Sequence, residues 1–321
     1  MGDAAGIGAE IVLKALNDQS LRRICHPIII GDLPFLRGET ARLAIDLELV
    51  DFIDLVESAP RQIGVFNLAN LPSTIEVGKD SAVTGRAAAE CVFSAVELWR
   101  EGKIDAIATA PISKAAIHMG GFDFPGHTEF LAEMTGTKSF AMSFFAEKLR
   151  VILLSTHVSL EDAIGLVKKD AIVELIQFAD AELFALLKRK PKIAVAGLNP
   201  HASEGGKFGR QEIEEIEPAI DRCKSEFGID VSGPFSPDTI FLRANKGEFD
   251  AVIALYHDQA TIAVKCLSFG SAVNVTLGLP LIRTSVDHGT GYDIAGKDLA
   301  DASSMKAAIV LAAELVVQKE I

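Results

Sequence analysis

Short apolar runs alternate with stretches of helical period along the whole chain. The runs are Ile28–Ile30, Gly64–Ala69, Ile104–Ala108, Phe140–Phe145, Val151–Leu154, Lys192–Gly197, Ala251–Tyr256 and Val273–Leu277. Between them the spacing predicts helices over about Ala9–Asn17, Ala82–Arg100, Thr128–Glu133, Asp170–Lys190, Arg210–Phe227 and Ser303–Lys319. Continuous apolar runs of this length suit strands buried on both faces, hence a largely parallel sheet covered by helices. Their alternation with helices across the chain is the pattern of an α/β fold. At 321 residues the chain fits one large domain or two. No repeat, low-complexity tract or Pro/Gly-rich linker interrupts it, so two domains are expected to share a continuous or interwoven sheet.

Composition narrows the partners. Hydrophobic residues make up 49% and charged residues 23%, which excludes a disordered or fibrous chain. Lys and Arg total 31 against 44 Asp and Glu, a formal charge of −13. That balance argues against nucleic acid or an anionic membrane as partner, yet leaves room for a small anion held by a few local cations. No apolar run reaches the ~18–20 residues of a membrane span, and no signal peptide pattern is present. Cys25, Cys91, Cys223 and Cys266 are scattered without CxxC pairing, as expected of reduced thiols in the cytoplasm.

Candidate chemistry sits where apolar runs end. Val151–Leu154 leads into Ser155-Thr156-His157, Lys192–Gly197 into Leu198-Asn199-Pro200-His201, and Ala251–Tyr256 into His257-Asp258-Gln259. In parallel α/β sheets, ligands bind outside the carboxyl ends of the strands, so three histidines after three strands are expected at one crevice. Three imidazoles with open positions make a catalytic metal centre; each alone reads equally as a cap or a core hydrogen-bonding residue. Asp238 offers an oxygen ligand or a helix N-cap. A second set, Gly126-His127-Thr128-Glu129 with Lys265, Asn274 and Arg283, supplies donors and positive charge for a phosphate. Thr128 stands at a helix start, where backbone N–H groups face an anion. The opening Gly6-Ile7-Gly8 lacks a dinucleotide fingerprint, with Ile11 at the third glycine position. Neither GxSxG, Walker A nor HExxH occurs.

Together these motifs resemble the 4-hydroxythreonine-4-phosphate dehydrogenase family. The carriers are Met1–Glu10, Thr109–Lys114, Pro125-Gly126-His127-Thr128-Glu129, Ser155-Thr156-His157, Asn199–Gly206, Tyr256-His257-Asp258-Gln259 and Asn274–Lys297. The likeness runs from residue 2 to about residue 304. It implies an isocitrate/isopropylmalate dehydrogenase-like fold, two α/β/α domains with an active-site cleft between them. The expected division is 1–125 plus 275–321, and 126–274 with the metal site and dimer contacts. It further implies a homodimer with shared sites and one divalent metal ion, Zn, Mg, Co or Ni, on His157, His201 and His257, with Asp238 beside them. Substrate-binding positions are His127, Thr128, Lys265, Asn274 and Arg283. Lys265 and Asp238 are the candidate catalytic groups, Lys265 serving either proton transfer or the phosphate. Asn199, His288, Gly289, Thr290 and Asp293 are the cofactor positions, Asp293 favouring NAD over NADP through the ribose 2′-OH.

The implied reaction is oxidation of 4-phosphohydroxy-L-threonine to a β-keto acid that decarboxylates to 3-amino-2-oxopropyl phosphate, in pyridoxal 5′-phosphate synthesis. The alternatives are 4-phospho-D-threonate or 4-phospho-D-erythronate oxidation in sugar-acid catabolism, a metal-dependent hydrolase, and a non-catalytic binding protein. Ala4 and Ala9 stand where the family usually has prolines, and Ser203 where it often has glycine. The glycine-rich turn at Met1–Gly8 has no apolar run before it; a short strand precedes this motif in the family, so one strand of roughly 5–8 residues is expected upstream.

Overall fold

The structure is a computed structural model that describes residues 1–54, 61–124, 126–268 and 270–320. The chain forms two compact units, Met1–Lys138 with Leu279–Val316, and Ser139–Gly278 with Val317–Ile321. Pro125, part of one motif above, lies outside the described residues.

In the first unit the strands are β1 (Ile28–Gly31), β2 (Glu48–Asp51), β3 (Gln62–Asn67), β4 (Ala106–Thr109) and, late in the chain, β11 (Ile282–Ser285). The helices are α1 (Gly8–Leu16), α2 (Leu33–Arg42), α3 (Ala82–Arg100), α4 (Lys114–Met119), α5 (His127–Thr135) and α11 (Ser303–Glu320). Strands β1 and β2 both pair parallel with β3, and β4 pairs parallel with β11. The helix starts follow from capping: Asp32, Ser81 and Ser113 each accept the amide three residues on. One core packs α1 and α2 on β1 and β3 through Ile11, Leu13, Leu36, Ile63 and Val65. Another packs α3 on α5 through Val92, Val96, Phe130 and Leu131.

The second unit holds β5 (Ala141–Ala146), β6 (Leu149–Leu153), β7 (Ile193–Ala196), β8 (Val231–Phe235), β9 (Ala251–Ala254) and β10 (Val273–Leu277). Its helices are α6 (Leu160–Leu166), α7 (Lys169–Leu187), α8 (Glu217–Phe227), α9 (Pro237–Asn245) and α10 (His257–Leu267). The strand order is β10-β5-β6-β9-β7-β8. Strands β6, β9, β7 and β8 run parallel, and the fully buried Ile, Val and Ala side chains of β6, β7 and β9 match the apolar runs. Strand β5 is antiparallel to both β6 and β10. Only Glu147-Lys148 separates β5 from β6, and so short a link reverses the chain.

One expected helix divides. Over Glu212–Ile216 the chain makes a wide π turn and only then becomes α8. Pro218 has no N–H to give to the carbonyl four residues back, so the regular ladder cannot run through this point. Among the described residues no helix is long and apolar enough to cross a membrane.

Candidate active site

His157, His201 and His257 follow β6, β7 and β9, which are neighbours in the order β6-β9-β7. All three therefore stand at the carboxyl edge of one parallel set. The rings of His157 and His257 lie 5.7 Å apart between centroids. Asp258 Oδ1 is 2.7 Å from His257 Nδ1, which turns Nε2 to other partners. His201 keeps different company, its Nδ1 3.9 Å from Asp238 Oδ2. Asp238 does not cap α9; Ser236 holds the N-cap position and donates its hydroxyl to Asp238 Oδ1 at 2.5 Å. Among the described residues no three His, Cys, Asp or Glu side chains form a group that could hold a metal ion.

The turn that carries His201 is unusual. His201, Ala202, Ser203 and Glu204 have φ of 53°, 49°, 64° and 44°, four consecutive left-handed residues before Gly205 at 69°. Each non-glycine residue in this region costs of order 1 kcal/mol or more. Ser203 recovers part of that cost, because its buried Oγ accepts the Gly206 amide and its carbonyl accepts the amide of Lys207. Glu212 supplies the larger support. Its carboxylate is fully buried. Oε1 accepts the amides of Leu198 at 2.8 Å and Asn199 at 2.7 Å, and Oε2 accepts Asn199 Nδ2 at 2.8 Å. Asn199 Nδ2 also donates to Gln211 Oε1 at 2.9 Å. A Cβ at Gly209 would stand 2.5 Å from Asn199 Nδ2, so only glycine fits there. Gln259 braces the same place from α10: its Nε2 donates to the Gly197 carbonyl at 2.7 Å while its Oε1 accepts the Leu255 amide at 2.8 Å.

The first unit contains an anion-type arrangement. Arg283 lies on β11, 4% exposed. Burial brings its guanidinium down to about 10, and Glu129 acts the other way. Thr109 on β4 faces it. His127 and Thr128 open α5 behind Gly126, so the first-turn amides and both side chains share one end of the helix. Burial, reinforced by the Arg283 charge, holds the His127 imidazole well below its ordinary range. Lys114 borders this helix end, where a Cβ on Gly126 would lie 3.6 Å from its Cε. The chemistry here is suited to a dianion: fixed N–H donors, a buried guanidinium and a neutral imidazole able to take a proton.

The loop after β11 is fastened to the glycine-rich turn at the start of the chain. Ile7 donates its amide to the Thr290 carbonyl at 2.9 Å, and a Cβ on Gly6 would meet that carbonyl at 2.6 Å. Tyr292 places its hydroxyl 2.8 Å from Asp3 Oδ2 and 2.9 Å from Asp80 Oδ1. Burial and the Asp3 contact push this phenol above the ordinary tyrosine range. His288 has its Nε2 buried with no hydrogen-bond partner, an open position that a bound cofactor would satisfy. Gly289 and Asp293 are exposed on this loop. In the second unit Lys265 is exposed two turns into α10 from His257, and Asn274 is half-buried on β10. Thr109, Glu212 and Tyr292 were not singled out by sequence reasoning. Thr109 and Glu212 are buried hydrogen-bonding groups, and their partners stand on distant segments.

A sequence profile of the family described as "Pyridoxal phosphate biosynthetic protein PdxA" matches residues 23–312. The D-threonate 4-phosphate dehydrogenase of Cupriavidus necator is 44% identical over 322 residues, covering 99% of this chain and 96% of the relative. The 4-hydroxythreonine-4-phosphate dehydrogenase of Geobacter metallireducens is 42% identical over 318 residues, covering 98% and 94%. The crystal structure of the Klebsiella pneumoniae 4-hydroxythreonine-4-phosphate dehydrogenase superposes with a TM-score of 0.89 at 39% identity, covering 98% of this chain and 96% of that one.

Proposed function

The chain belongs to the PdxA family and is a dehydrogenase of that type, and from this premise we propose that it oxidises a phosphorylated four-carbon hydroxy acid with NAD. The observation that carries the reading is the placement of His157, His257 and His201 at the carboxyl ends of three adjacent parallel strands. The preferred substrate is 4-phosphohydroxy-L-threonine, giving a β-keto acid that loses CO2 to 3-amino-2-oxopropyl phosphate on the way to pyridoxal 5′-phosphate.

By donor type the three imidazoles suit a divalent cation such as Zn, Co, Ni or Mg, neutral imidazole being the commonest ligand. Among the described residues of one chain they do not close into a three-ligand group, so the reading needs the set completed across a dimer. When bound to His157, His201 and His257, it would supply Lewis-acid stabilisation of substrate oxygens. Bound NAD would supply the hydride acceptor. Arg283, His127 and Thr128 bind the substrate phosphate, assisted by Asn274, and so fix the reacting carbon. Lys265 moves a proton or adds a phosphate contact. The carboxylate of Asp238 orients His201. Asn199, His288, Gly289 and Thr290 hold the cofactor, and Asp293 accepts from its ribose 2′-OH. We place the ligand set in a homodimer with shared sites. Exposed Val158, Leu160, Ile164 and Leu166, directly after His157, offer an apolar face for a second copy. The four free thiols fit a reducing, cytoplasmic compartment.

The second reading is oxidation of 4-phospho-D-threonate, favoured by the identity to the Cupriavidus necator relative. The two substrates differ at C2, an amine in one and a hydroxyl in the other. Purified protein with NAD, a divalent cation and each phosphate in turn separates them by relative NADH formation. Product without NADH would instead assign a hydrolase, and no reaction with either phosphate would overturn the dehydrogenase reading.

A further inference from the structure

We propose that Glu212 is a positioning residue for the metal centre, acting through the left-handed turn that presents His201. The inference rests on the reading of His201 as a metal ligand. What Glu212 grips is the backbone just before His201. Its two oxygens accept three N–H groups, from Leu198, Asn199 and the Asn199 side chain. The chain leaves β7 at Ala196, passes Gly197, and must turn left-handed from His201 onward. Four L-residues do not hold that conformation unaided. Their anchor is therefore the segment 197–199, fixed from one side by Glu212 and from another by Gln259 on the Gly197 carbonyl. The packing leaves no slack: a Cβ on Gly197 would meet Ala202 Cα at 3.0 Å and Glu212 Oε1 at 3.3 Å. The wide π turn that begins at Glu212 sets this side chain inward while Glu214 and Glu217 stay exposed.

The chemistry makes Glu212 sensitive to a change of one atom. In Glu212→Gln the new amide places a donor opposite the Asn199 Nδ2 donor, while shape is kept. Exchanging the partner as well, in Glu212→Gln/Asn199→Asp, restores one donor to one acceptor, and Gln211 can turn its amide to donate to the new carboxylate. A residue that orients metal ligands costs about 10–100-fold in metal affinity when altered.

The test uses the full-length protein, stripped by chelation and titrated with Co(II) alone, with the visible Co(II) spectrum and the melting temperature recorded for each variant. Glu212→Gln is expected to bind Co(II) at least about tenfold more weakly, with altered visible bands, while remaining folded. The double variant is expected to recover most of that affinity. A folded Glu212→Gln protein with wild-type Co(II) affinity and spectrum would overturn the proposal and leave the metal reading standing. Should Glu212→Gln fail to fold, the double variant alone decides: restored folding without restored affinity refutes the positioning role. A wild-type protein that binds no Co(II) overturns the metal reading, and this proposal with it.

Discussion

Arg283 sends two N–H groups to a single oxygen: Nη2 and Nε stand 2.9 and 3.2 Å from Thr109 Oγ1. Thr109 in turn donates its hydroxyl proton to the Thr284 carbonyl at 3.2 Å. The guanidinium is thus oriented by a hydroxyl whose own proton is committed elsewhere. Arg283→Lys keeps the charge and loses the fork, so KM for the phosphorylated substrate should rise about tenfold or more, about 1.4 kcal/mol. Thr109→Val should lower stability by about 1–3 kcal/mol, since it strips the acceptor from a buried donor. Steady-state kinetics and urea melts measure the two effects; an unchanged KM in Arg283→Lys would remove Arg283 from the phosphate site.

His127 gives stability a pH dependence of known sign. Its imidazole is held well below the ordinary histidine range in the fold, while the unfolded chain has the usual value near 6.5. Below about pH 6.5 the unfolded state binds the extra proton and the folded state does not, so stability falls as pH drops. The slope for one such group approaches about 1.4 kcal/mol per pH unit. Urea unfolding of the ligand-free protein between pH 7 and 5 should show this loss, and His127→Asn should flatten it. Equal slopes in both proteins would contradict the assignment.

Tyr292 links the loop at 287–297 to two carboxylates, Asp3 and Asp80, the latter also contacted by the Ser113 hydroxyl. Tyr292→Phe removes only the hydroxyl. The expected result is a several-fold higher KM for NAD, about 1 kcal/mol of binding, with kcat little changed. A fall in kcat at unchanged KM would place Tyr292 in the chemistry instead.

Removing either member of the close histidine pair should empty the metal centre. His157→Ala and His257→Ala are each expected to lose bound divalent cation and activity, while melting within about 1 kcal/mol of the parent, because both rings lie at the surface end of their strands. Elemental analysis after dialysis reads the outcome, and full metal retention in either variant rules that residue out as a ligand.

Much of the frame was readable because burial and period coincide. Strand β10 and helix α3 fall on the predicted Val273–Leu277 and Ala82–Arg100. Strand β2 escaped notice because Glu48 and Asp51 bracket a short apolar pair. Strand β8 was hidden by Gly233-Pro234, and α9 by the prolines that flank its start. Helix α10 opens on His257-Asp258-Gln259, polar residues that read as a loop until Gln259 is seen to be buried. The histidines at strand ends were legible; the separate company of His201 was not, since it depends on where α9 brings Asp238. Glu212 stands among Glu214, Glu215 and Glu217, and nothing local marks it as the buried one. The left-handed turn is invisible for a related reason, because none of its first four residues, His201 to Glu204, is a glycine that would announce it.

The long segment Ser139–Gly278 of the second unit begins and ends on paired strands: Ala141 on β5 stands opposite Leu277 on β10. The two ends of that segment are therefore one strand spacing apart, about 5 Å. From the side of the first unit, everything from Ser139 to Gly278 is a single loop whose mouth is already zipped shut. The entropy of closing so long a loop is offset within the loop itself, by its own ladder of hydrogen bonds. The segment that carries the three histidines thus brings its own closure, and its two ends leave it side by side.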